Sequence, residues 1–314
     1  MNTNKHLLTS LIAAAVLGSA GNAMAETTMG DVVISGYLDM SASYTEFDDA
    51  SDSSTGLDRA EVRFNSQLDD KVSIEAHVAG GADEDYTLEH AMMVYQATDK
   101  LSFKAGKYLS ALGWEAFHAP DLFQYSTSVA LVYPAFFNGA AVTYTTDDFM
   151  IYGSLASDIW NGTDTDSSNV GAEGAFKFTG VEDLTVFLGF ATSKVEPVVG
   201  DAFDQTLVNF WTSYSINSLL LAFEYNDVSD WGVEGNDGDS WLVMANYGFT
   251  DKIGLTLRTS AIELDDGTDL EKYTAAGSYV LTDNVSFVLE YNNVSDNATD
   301  TDADTVALEM IVVF

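Results

Sequence analysis

Arg59-Ala60-Glu61-Val62-Arg63-Phe64-Asn65-Ser66-Gln67-Leu68 changes character at every step. In an extended chain successive side chains point to opposite sides, so Ala60, Val62, Phe64, Ser66 and Leu68 share one face and Arg59, Glu61, Arg63, Asn65 and Gln67 the other. A charge held against lipid at mid-plane costs about 2–4 kcal/mol, so the second face must look into a wet interior if the first meets a membrane. The split recurs in Val72, Ile74, Ala76 and Val78 against Ser73, Glu75 and His77, and in Leu219, Leu221, Phe223 and Tyr225 against Ala222, Glu224 and Asn226. Val285, Phe287, Leu289 and Tyr291 oppose Ser286 and Glu290 in the same way. About sixteen such segments run to the end of the chain, most near the roughly 9–11 residues that a tilted strand needs to cross a bilayer. Weak alternation around Met92 and Met93, and Phe187 on the wrong face, leave fourteen open.

The connections alternate too. Short turns at Asp69–Lys71, Thr98–Lys100, Thr146–Asp148, Thr250–Lys252 and Thr282–Asn284 interleave with longer loops rich in Asp, Ser and Gly. This predicts an all-β, antiparallel up-and-down transmembrane barrel, with short periplasmic turns, long extracellular loops and both termini on the short-turn side. A soluble sandwich needs no such bookkeeping. Aromatics near strand ends, among them Tyr44, Tyr144, Phe178, Phe190, Tyr225, Phe249, Tyr279 and Tyr291, fit interfacial girdles.

Composition agrees. Lys5, the apolar run Leu7–Val16 and Ala23-Met24-Ala25 read as a secretory signal over residues 1–25, with one barrel domain expected over 26–314. No later run is long and apolar enough for a transmembrane helix. Cysteine is absent, so stability rests on burial or on a membrane. With 49 acidic and 12 basic residues the formal charge is −37, which excludes nucleic acid as a partner, since phosphate binding needs clustered Lys and Arg.

One gap between strands stands apart. Residues 110–137 carry Pro120 and Pro134, the aromatics Trp114, Phe117, Phe123, Tyr125, Tyr133, Phe136 and Phe137, and Glu115, His118 and Asp121 as ionisable groups. A loop of this length inside a strand pattern is functional or a packed insertion. Its aromatics could stack solutes, but packing against the barrel wall is the stronger reading, because amphipathic rings usually find apolar partners.

Gly106-Lys107-Tyr108, Gly113-Trp114-Glu115, Tyr125-Ser126, Pro134 and Asn138-Gly139-Ala140 resemble the OmpL-like β-barrel porin family. The final strand, with Val306, Leu308, Met310, Val312 and Phe314 on its apolar face, resembles the C-terminal signature that the barrel-assembly machinery of Gram-negative outer membranes reads. The resemblance implies a channel-forming barrel among outer-membrane lipid and lipopolysaccharide, with a third long loop folded into the pore; many porins of this size are homotrimers, but no subunit interface is legible in this sequence, and monomer and trimer both stay open. The resemblance supplies neither a solute nor individual binding residues.

The inward faces carry Asp39, Glu61, Glu75, Glu173, Glu224, Glu290 and Glu309 against Arg59, Arg63, Lys104, Lys177 and Arg258. With His77, and with Glu115, Asp121 and Lys107 near the long loop, these are the candidate pore-lining and constriction residues. Strict alternation from Leu101 turns Lys107 outward; a bulge near Gly106 would turn it inward and place it with Glu115, Arg59 and Arg63 on a charged rim. The lumen is close to balanced, so the excess acid sits in loops and turns and favours cations weakly at the mouth. Asp300-Thr301-Asp302-Ala303-Asp304 has the start of a calcium loop, but Thr305 and Ile311 stand where Gly and Glu are required, so it reads as a solvated loop. No cofactor, metal site or catalytic constellation is legible: no Gly-x-Ser-x-Gly or His-Glu-x-x-His occurs, and His77 beside Glu75 reads as a lumen pair. The expected function is a passive water-filled channel for small hydrophilic solutes or ions, narrowed by loop 110–137. A structural or adhesion barrel and a barrel hydrolase are the alternatives.

Overall fold

The alternation resolves into strands along almost the whole chain. In this computed structural model, residues 27–29, 31–47, 50–82, 85–160, 169–197 and 200–314 are described; the expected signal, 1–25, lies outside them. The strands are β1 (Thr27–Met29), β2 (Val32–Phe47), β3 (Ser51–Gln67), β4 (Val72–Gly80), β5 (Thr87–Thr98), β6 (Leu101–Leu109), β7 (Phe136–Thr145), β8 (Phe149–Ala156) and β9 (Gly171–Val181). They continue as β10 (Leu184–Val195), β11 (Phe203–Ile216), β12 (Leu219–Ser229), β13 (Gly238–Thr250), β14 (Ile253–Leu264), β15 (Asp269–Thr282), β16 (Val285–Asp296) and β17 (Thr301–Val313). The three-residue β1 pairs with the start of β2. The other sixteen pair antiparallel in chain order, and β17 returns to β2 to close the barrel. The closing seam runs to the last residue: Gly36 and Phe314 exchange both backbone hydrogen bonds, at 2.9 and 3.0 Å.

The interior is polar and the exterior apolar. Glu290 is fully buried while Leu289 next to it is 58% exposed, and the same inversion holds at Glu224 between Phe223 and Tyr225. Exposed aromatics ring the barrel near the short turns (Tyr95, Tyr144, Tyr247, Tyr279) and towards the other end (Tyr44, Phe190, Tyr225, Tyr291). Among the described residues no helix is long and apolar enough to cross a membrane; a closed barrel crosses with strands, because every backbone group in the ring is paired.

The two weak places in the alternation have separate causes. In β5 the register slips between His77–His90 and Val78–Leu88, so Glu89 is bulged and both Glu89 and His90 turn inward. Met92 and Met93 then alternate normally, Met92 packing inside and Met93 outside. Phe187 does point into the barrel, where it stacks on Trp211 at 5.0 Å. Fourteen strands is therefore excluded.

Several expected loops are shorter than their composition suggested. Ser51–Gly56 continues β3 in register with Ser41–Glu46, and Thr301–Asp304 opens β17 rather than forming a solvated loop. Past the bilayer nothing penalises polar side chains on both faces, and continued pairing satisfies the backbone.

Candidate functional site

The long connection between β6 and β7, residues 110–135, folds into the barrel. Backbone buried there cannot be left unpaired, and the inward-facing residues of the opposite wall supply its partners. Glu173 of β9 accepts the Ser110 hydroxyl at 2.7 Å and the Ala111 amide at 2.8 Å. Asn209 of β11 accepts the Gly113 amide at 3.2 Å, and Glu224 of β12 the Trp114 amide at 3.0 Å. Glu290 of β16 accepts both the amide and the hydroxyl of Ser126. Ser260 of β14 accepts the Val129 amide, while Ser240 and Asn226 donate to the Ala130 carbonyl and Lys272 of β15 to that of Thr127.

Inside the loop, Glu115 binds Gln124, the Ser128 amide and the Arg258 guanidinium of β14. Glu115 is thus a buried brace between loop and wall, not part of a charged rim. Packing completes the anchorage. Leu112, Val132, Phe137 and Tyr108 join Ile159, Phe187 and Trp211 in one cluster, with Trp114 against Trp211 at 5.4 Å. Gly113 has φ of +93°, and its missing side chain leaves room for the Tyr133 ring, so only glycine suits the turn.

The wall formed by β3, β4 and β5 is built differently. Glu61 is gripped by Arg63 Nε at 2.6 Å and Arg59 at 3.2 Å, and Arg59 also pairs with Glu89. His118 Nδ1, from the loop, lies 3.1 Å from Glu61, and His77 Nε2 lies 2.6 Å from Glu75. Arg59 sits over Phe117 and Arg63 over Tyr37. Lys104 lies inside, 3.9 Å above the Tyr108 ring. Asp121 occupies the short 3-10 turn Ala119–Asp121 next to His118, and Lys177 is buried on β9.

Lys107 needs correction as a lining residue. The β5–β6 register runs without a slip through Gly106, so no bulge turns Lys107 inward; it pairs with outward-facing Ala91, and its amine donates to the Leu88 carbonyl. Sequence reasoning also missed Glu89, His90, Asn209 and Lys272. Lys272 and Asn209 had legible inward parity; Glu89 and His90 did not, because the bulge resets the count.

A closed barrel with an apolar belt, a polar interior and one long loop folded inside defines a porin-type outer-membrane protein. The family described as "Putative beta-barrel porin-2, OmpL-like" matches residues 32–314, and the chain belongs to it. No curated protein matches the sequence. Among solved structures, the outer membrane channel DcaP of Acinetobacter baumannii is similar at 15% identity and a TM-score of 0.72, over 93% of this chain and 100% of that one. An anion-selective porin from Comamonas acidovorans is similar at 13% identity and 0.67, over 90% and 99%. The trimer form of OmpT, an outer membrane protein of Vibrio cholerae, is similar at 17% identity and 0.63, over 90% and 99%. These likenesses concern the fold.

Proposed function

We propose that the protein is a passive diffusion channel for small hydrophilic solutes and ions, with the loop of residues 110–135 narrowing the lumen and a weak preference for cations. One contrast carries this reading. On the β3–β5 wall Arg59, Arg63, Glu75 and Glu89 keep side-chain exposures of 16–19%, whereas Glu115 and Arg258, on the stitched side, keep 1–3%. Water therefore reaches the arginine side of the loop, and solutes would pass there, with charges of both signs replacing part of their hydration. Cation preference comes from the acidic loops at the mouth and weakens with salt, since surface charge is screened within about 8 Å at physiological ionic strength. Three like subunits side by side would match the trimer form of one structural relative.

The second reading is a structural barrel without an open pore, favoured by the depth of aromatic packing between loop and wall. Conductance of the purified protein in a planar bilayer separates the two. The channel reading expects steady open steps whose size rises when residues 116–124 are replaced by a short glycine-serine link. Silence from both proteins would establish the closed barrel, and lipid turnover would point to an enzyme.

A further inference from the structure

The chain holds four histidines, and the three beyond the expected signal meet at one place. The rings of His77 and His90 are 4.6 Å apart, and His118 is 6.2 Å from His77. We propose that His77, His90 and Glu75 bind a divalent transition-metal ion of the zinc class in the lumen, with Glu61 orienting His77. Glu75 and His77 are two residues apart on the same face of β4, and His90 lies directly opposite His77 on β5. The bulge at Glu89 is what brings His90 inward.

One donor atom from each of these three residues can be chosen so that all lie within 4.8 Å of one another. Donors around a tetrahedral zinc at about 2.1 Å stand roughly 3.4 Å apart, so small side-chain rotations close the site. Two imidazoles and a carboxylate suit zinc or copper and leave a further position for water.

The surroundings fit as well. His77 is 3% and His90 8% exposed, and His90 Nε2 has no hydrogen-bond partner among the described residues, an expense that a ligated cation removes. His77 directs Nε2 at Glu75, 2.6 Å away, while its Nδ1 lies 3.5 Å from Glu61 Oε1 without a hydrogen-bond partner among the described residues, so the same small ring rotation that seats the metal must also bring Nδ1 onto Glu61. A carboxylate behind a ligating imidazole fixes its tautomer and raises its basicity, and Arg63 holds that carboxylate in place. Glu75 remains partly exposed, so an ion can reach it from the water. Glu61, His77 and His118 also fall within 4.8 Å, but Arg59 and Arg63 already occupy both Glu61 oxygens. Arg63, paired across from His77, also stands near the proposed site, so repulsion alone does not separate the two and the occupied carboxylate does.

The test uses the full chain folded in detergent, stripped with a chelator and titrated with zinc chloride alone. Calorimetry and elemental analysis read stoichiometry, and X-ray absorption reads the ligands. One zinc per chain with two imidazoles is expected. His77→Ala and His90→Ala should abolish binding, Glu61→Gln should weaken it about 10- to 100-fold, and His118→Ala should leave it unchanged. Circular dichroism confirms the barrel in each variant, and His90→Gln, which keeps the volume and a polar group, replaces His90→Ala if that variant misfolds. Absence of stoichiometric zinc in the unmodified chain, or binding lost in His118→Ala and kept in the His90 variants, overturns the proposal. No conductance enters the readout, so failure here and failure of the channel reading are distinguishable.

Discussion

The two inner walls of the barrel use the same residue types for different ends. On β9, β12 and β16, Glu173, Glu224 and Glu290 accept amides and hydroxyls from the loop and are sealed beneath it. On β3–β5, Glu61, Glu75 and Glu89 face arginines and histidines, and all but Glu61 remain partly wet. A glutamate at inward parity looks identical in both places when read along a strand. What separates them is the partner: neutral amides and hydroxyls brought by the loop on one side, arginines and histidines on the other.

Breaking the stitched side should have the largest effect. Arg258→Ala strands the buried Glu115 carboxylate and should cost about 3–5 kcal/mol in urea unfolding from lipid vesicles, whereas Arg258→Met with Glu115→Gln, which removes both charges but keeps an acceptor for the Ser128 amide, should recover part of the loss. Full destabilisation persisting in the double variant would show that the pair does more than neutralise itself. Glu224→Ala ranks next. It leaves the Trp114 amide without its acceptor, at about 1–3 kcal/mol for an orphaned donor, removes one of the two acceptors of Asn209 Nδ2, and should make single-channel current noisier as the loop loosens. The smallest effect sharpens the contrast itself: Arg59→Gln should move the reversal potential in a salt gradient towards cations, while Glu224→Gln should leave it in place. Equal shifts from both would erase the distinction between a wet wall and a sealed one.

Strand parity carried much of the site reading. Glu61, Glu173, Glu224, Glu290 and Arg258 were legible as inward residues because period two is enforced by lipid on the other face. It failed at His90 and Glu89, where a bulge that sequence does not announce resets the period, and it gave Lys107 a choice that only the β5–β6 register closed. Glu115 was placed on a rim because a charged loop residue is usually solvated; its burial follows from Arg258, which lies 143 positions away.

By itself, then, the sequence determined a membrane barrel of about sixteen strands with an apolar outer belt, since each strand must solve the same two-solvent problem locally and the answer is written in its alternation. Only the tertiary structure decided which lumen charges are sealed and which stay wet, and that three distant histidines share one corner. Those outcomes depend on which side chains a folded-in loop covers, and pairing across a closed ring is set by register between strands, which no single strand encodes.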